Sequence, residues 1–196
     1  MDLFSPVVDA SKFDPVFATL LKVNNLYDQA VVQEWAKGFV DRDGKFVREF
    51  QTTFHASFWE LYLHACLKHL DCEIDFSHAS PDFVVTGPWP FLVEATVALH
   101  GERGTSISET SLKTFPTSLN EFNRQAIIRL ANSVISKKRK YNDSYKDLPH
   151  VAGKPFVLAI APFDRPFAWI QCQRAIEALL FQYYVDEEEY LKAGDL

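Results

Sequence analysis

The chain has 196 residues, 20 Lys and Arg against 26 Asp and Glu, and a formal charge of −6. That length makes one compact domain the default, and 47% hydrophobic with 23% charged residues excludes a disordered chain. The acidic total excludes coating of nucleic acid by bulk charge, and only 7 Gly leave little room for Gly-rich phosphate loops or repeat arrays.

Met1-Asp2-Leu3-Phe4-Ser5-Pro6 lacks the basic and apolar stretches of a secretory signal. No apolar run approaches the roughly 18–20 residues that span a bilayer. Pro6, Pro15 and Asn24-Asn25 break residues 1–25, with a short helix expected over 15–22. Residues 26–40 read as an amphipathic helix ending near Gly38, Asp41-Arg42-Asp43-Gly44 as a turn, and 45–53 as a connector. A long helix over 54–70 is apolar around most of its circumference, which implies burial on more than one side. Three strands are expected at 72–76, 82–86 and 90–98, the last two joined by the hairpin-length Gly87-Pro88-Trp89. Residues 99–118 are polar and read as a mobile loop. A second long helix covers 119–141, with Ser118 and Glu121 at capping-box spacing. A buried strand at 155–161 and a helix over 168–184 follow. Residues 186–196 hold five carboxylates against one lysine, an acidic tail. Cys66, Cys72 and Cys172 show no metal-binding spacing and suit a cytosolic protein with reduced thiols.

Three carboxylates stand in unusual places. Ala56, Glu60, Leu63, Leu67 and Leu70 follow helical spacing, so Glu60 interrupts an apolar stripe. Glu94 sits in the strand run Phe91-Leu92-Val93-Glu94-Ala95-Thr96-Val97, and Asp82 opens the strand before it. A buried carboxylate must be neutral, paired or metal-bound, so the three together suggest a shared cation. The second long helix repeats the anomaly with opposite sign. Lys137 interrupts Ile127, Leu130, Val134 and Tyr141, while Lys138, Arg139 and Lys140 face solvent or phosphate.

Pro81-Asp82, then Glu94-Ala95-Thr96, preceded by Glu60 on a helix, resembles the PD-(D/E)xK nuclease superfamily. Glu49-Phe50-Gln51 leading into Phe58-Trp59-Glu60-Leu61-Tyr62-Leu63 also resembles uncharacterised bacterial members. The resemblance implies an α/β fold with a restriction-endonuclease-like αβββαβ core, a mixed sheet flanked by helices, over residues 54–185. Residues 1–53 would be a helical extension and 186–196 a tail. It further implies hydrolysis of phosphodiester bonds, in DNA, with Mg²⁺ or Mn²⁺ held by Asp82 and Glu94 and assisted by Glu60. Thr96 stands where that superfamily usually has a lysine, and Lys137 is the candidate for a relocated one. Lys138, Arg139 and Lys140 would contact nucleic acid. The alternative is a catalytically inactive domain of this fold that binds nucleic acid or protein. No membrane partner is expected, and monomer or dimer is left open.

Overall fold

The computed structural model describes residues 1–98, 115–163 and 167–194, apart from the side chains of 168–171. The expected loop at 99–118 lies mostly outside the described residues. The chain divides into two compact units, Met1–Thr96 with Asn142–Ala159, and Val97–Tyr141 with Ile160–Leu196.

The first unit opens with α1 (Pro15–Leu20), α2 (Leu26–Trp35), α3 (Phe46–Thr52) and α4 (Phe54–His69). The Asp14 carboxylate accepts the Val16 N–H and Pro15 takes the first helical position, which fixes the start of α1. The second helix ends at Trp35, short of the expected Gly38, which adopts φ +87° and turns the chain away. Residues 46–52, expected as a connector, form α3 instead. Its buried Phe46 and Phe50 lie one helical turn apart, and Phe46 packs against Phe39 at 4.4 Å between ring centroids. Seven residues are too few to display a helical period, so tertiary burial decides this segment.

These helices converge on an aromatic core. Phe17 meets Phe50 edge-on at 5.8 Å, and Phe50 meets Phe54 at 5.0 Å. Leu3, Leu61, Phe83, Val85 and Val93 complete the cluster, so the N-terminal helices and the sheet share one interior. Gln51, fully buried, stitches the N-terminal segment to α3. Its amide donates to the Leu3 and Ser5 carbonyls at 3.1 and 2.9 Å, and its oxygen accepts the Val7 N–H at 2.9 Å.

The buried line of α4 is Phe54, Ser57, Leu61, His64 and Leu67, not the expected Ala56–Glu60–Leu63–Leu67–Leu70 stripe. Ala56 is exposed and Leu70 is 65% exposed. On a helix apolar almost all round, hydrophobicity alone does not select the inner face. The inner line even admits His64, whose Nδ1 pairs with the Trp35 carbonyl at 2.9 Å and whose burial lowers its proton affinity. Glu60 therefore stands at the margin of the buried face.

The strands β1 (Glu73–Asp75), β2 (Phe83–Gly87), β3 (Phe91–Val97) and β4 (Phe156–Ala161) form one sheet in the order β1-β2-β3-β4. The first three make an antiparallel meander, with Phe83 opposite Val93 and Val84 opposite Leu92. Leu92 N–H donates to the Pro155 carbonyl and Ala98 N–H to Ala161, both at 2.9 Å. These bonds climb both chains together, so β4 runs parallel to β3 and the sheet is mixed. Parallel neighbours require a long crossover, here the 58 residues from Ala98 to Pro155. Phe83, Val85 and Val93 face the aromatic core, while Val84, Leu92 and Glu94, on the opposite face, are also buried.

The second unit holds α5 (Leu119–Lys140), α6 (Ala168–Phe181) and α7 (Glu187–Ala193). Ser118 Oγ accepts the Glu121 N–H at 3.3 Å, the expected cap of α5. Lys137–Lys140 fill its last turn, where the helix dipole favours positive charge. Ile127, Leu130, Val134, Lys137 and Tyr141 are all wholly or partly buried, as the spacing implies. The acidic run expected as a tail forms the short helix α7. Glu187 is 6% exposed, takes Arg174 Nε on its Oε1 at 2.6 Å, and donates its backbone N–H to Asn120 Oδ1 at 2.9 Å. Among the described residues no helix is long and apolar enough to cross a membrane, and all three cysteines are free thiols.

Candidate functional site

Asp82 leads into β2 one residue before the Phe83–Val93 pair. Its Oδ2 accepts the Ala95 N–H at 2.7 Å, so the carboxylate continues the rungs between β2 and β3. Extending the register by one residue sets Asp82 opposite Glu94, which is 1% exposed. The sequence expectation that Glu94 would be buried at a strand centre agrees with this position.

Asp82 and Glu60 line one cleft of about 280 Å³ in the first unit, together with Asp41, Arg42, Asp43 and Glu49. Five of these six groups are carboxylates. Burial first, and then the neighbouring Asp82 charge, push the Glu60 carboxyl up to about 7. Arg42 opposes this shift, and Glu49 and Asp43 add smaller repulsions. The ion pair from Arg42 Nη2 to Glu60 Oε1 is long, at 3.8 Å.

The turn before Asp82 is held from two sides. Arg42 Nη1 donates to the His78 carbonyl at 2.7 Å and to the Pro81 carbonyl at 3.4 Å. His150 Nε2 lies 2.7 Å from the Ser80 carbonyl; that oxygen only accepts, so Nε2 carries the proton. The His150 ring stacks on His78, with centroids 3.7 Å apart and planes 8° from parallel. His78 Nε2 in turn lies 3.4 Å from Asp75 Oδ2. The Asp75 carboxyl is held below its usual range, chiefly by hydrogen bonds from Ser77, with His78 and His150 contributing.

Glu60 and Asp82 are thus brought together, and Glu94 lies on the strand beside Asp82 without lining the cleft. Lys137 is half-buried and Lys138, Arg139 and Lys140 are exposed, all four in the second unit. Among the described residues no three His, Cys, Asp or Glu side chains stand grouped to hold a metal ion. The donor set nevertheless fits Mg²⁺, which usually keeps several waters and takes one or two carboxylates. Asp82 and Glu60 could supply those, and a bound cation would offset the burial and the Asp82 charge that together raise Glu60.

Sequence reasoning missed Arg42, His78 and His150. Arg42 read as turn chemistry, and the histidines form no metal-binding pattern along the chain. The one available signal was a lone base between two acids, Asp41-Arg42-Asp43. Compared with family models, curated proteins and solved structures, the chain matches none.

Proposed function

We propose that this protein is a metal-dependent nuclease that hydrolyses phosphodiester bonds in DNA, with Asp82 and Glu60 holding Mg²⁺ or Mn²⁺ and Glu94 assisting from β3. The observation that carries this reading is the gathering of five carboxylates, Asp82 and Glu60 among them, around one cleft. A wall of that charge favours a cation over an anion. A bound hard cation lowers the pKa of its water and offsets the charge that develops on phosphate oxygens. The antiparallel meander, the crossover and the parallel fourth strand support a restriction-endonuclease-like core.

Plasmid DNA incubated with the protein should be cleaved in Mg²⁺ or Mn²⁺ and left intact in EDTA. Asp82→Ala should abolish cleavage. Cleavage that persists in EDTA overturns the reading. Thr96, where the resemblance has lysine, favours a second reading: an inactive domain of this fold that binds nucleic acid or protein. Tight DNA binding without metal-dependent turnover would select it.

A further inference from the structure

We propose that Arg42 grips a non-bridging oxygen of the substrate phosphate in the acidic cleft, an assignment that rests on the phosphodiesterase reading above. Among the described residues, five carboxylates line this space and Arg42 is the one base beside them. An anionic substrate is repelled from such a wall until positive charge is supplied. A metal ion at Asp82 and Glu60 supplies part of it, and Arg42 supplies a fixed remainder.

The bonding of the guanidinium suits the task. One edge is anchored, because Nη1 donates to the His78 and Pro81 carbonyls at 2.7 and 3.4 Å. The other edge faces Glu60 with Nη2 at 3.8 Å, beyond hydrogen-bonding distance, so the carboxylate does not consume its protons. The Arg42 side chain is 22% exposed and lines the cleft. The anchoring turn is itself fixed, since His150 donates to the Ser80 carbonyl between the two Arg42 acceptors and stacks on His78. A donor held this way needs little reorganisation when charge develops on phosphate. The planar guanidinium also keeps its second amino group in a fixed direction once the first is anchored, which a lysine ammonium cannot do.

The test separates binding from turnover by using Ca²⁺, which also takes oxygen ligands, and a short fluorescent DNA duplex read by anisotropy. The wild-type protein should bind the duplex in Ca²⁺ and much more weakly in EDTA. Arg42→Ala should weaken binding in Ca²⁺ by about 10- to 100-fold, the loss expected of a hydrogen bond between charged groups. Its Ca²⁺-induced rise in melting temperature should persist, because Asp82 and Glu60 remain. Arg42→Lys should fall between the two, and it decides alone if Arg42→Ala does not fold. Wild-type affinity in the folded variants overturns the phosphate contact and leaves the nuclease reading standing. Arg42-dependent binding without cleavage in Mg²⁺ supports the contact and removes hydrolysis. Absence of wild-type binding in both Ca²⁺ and EDTA overturns the contact and the DNA reading together.

Discussion

A carboxyl group beside another carboxylate, at the margin of a buried helix face, holds its proton more tightly in the folded chain than in the unfolded one. For Glu60 the folded value is about 7 against an ordinary 4.5. Between those values the folded state binds more protons than the unfolded state, so stability falls as pH rises. The favourable contribution is complete below about pH 4.5 and is lost as pH climbs through about 7. The Glu60 side chain is 23% exposed, and a shift of this size corresponds to about 1–3 kcal/mol. Glu60→Gln keeps the shape and removes the charge. In EDTA it should match wild type in urea unfolding near pH 4.5 and exceed it by about that amount at pH 8. A stability difference that does not change with pH would refute the burial account of Glu60. The anomaly was legible as a lone charge among apolar helix residues. Its partner Arg42 was not, because nothing local in Asp41-Arg42-Asp43-Gly44 reports that the side chain reaches carbonyls 36 and 39 residues away.

Whole elements follow the same division. The second long helix was legible at both its cap and its stripe, since Ser118, Glu121 and the Ile127–Leu130–Val134 spacing are local signals. The α3 helix and the inner face of α4 were not, because the aromatic cluster that selects them is assembled from distant segments. The α7 helix is a third case: its composition reads as an acidic tail, and it docks through charge. Arg174 bonds Glu187 at 2.6 Å and lies 3.8 Å from Glu177, while Asn120 accepts the Glu187 N–H and donates to Asp186 at 2.8 Å. The two sides of the main pair are unequally exposed, 35% for Arg174 and 8% for Glu187. Removing the arginine leaves a buried carboxylate without its cation, whereas removing the glutamate leaves a base that can turn to water. Arg174→Ala should therefore cost about 1–3 kcal/mol and Glu187→Ala less. Hydrogen exchange at residues 189–193 should accelerate in both variants, with the larger melting-temperature drop in Arg174→Ala. The reverse order would show that α7 is held by something other than this pair.

At the scale of the whole molecule, length and composition pointed to one compact domain, and the contacts divide the chain into two units that each use separated stretches. Composition does not report which segments touch, and the parallel β3–β4 pairing that joins residues near 92 to those near 155 has no local signature. The first unit depends on that pairing. Residues 142–159 supply the strand that covers the β3 edge, the Ala159 carbonyl that accepts Trp59 Nε1–H at 3.0 Å, the His150 bond to Ser80, and the fully buried Val151. A chain ending at Thr96 loses all four and presents an unpaired, largely apolar strand edge, a template for aggregation. It should show no cooperative thermal transition by circular dichroism and should associate on concentration. Replacing residues 97–141 with a flexible Gly/Ser linker of about 15 residues keeps β4 and residues 142–155 before it, while the linker takes the place of most of the crossover and of α5 in the second unit. That chain should recover a cooperative transition, because the aromatic core and the Asp82 turn are both drawn from segments it retains. A cooperative melt in the chain ending at Thr96 would instead place the folding information of the first unit entirely before the crossover, leaving β4 an accessory strand.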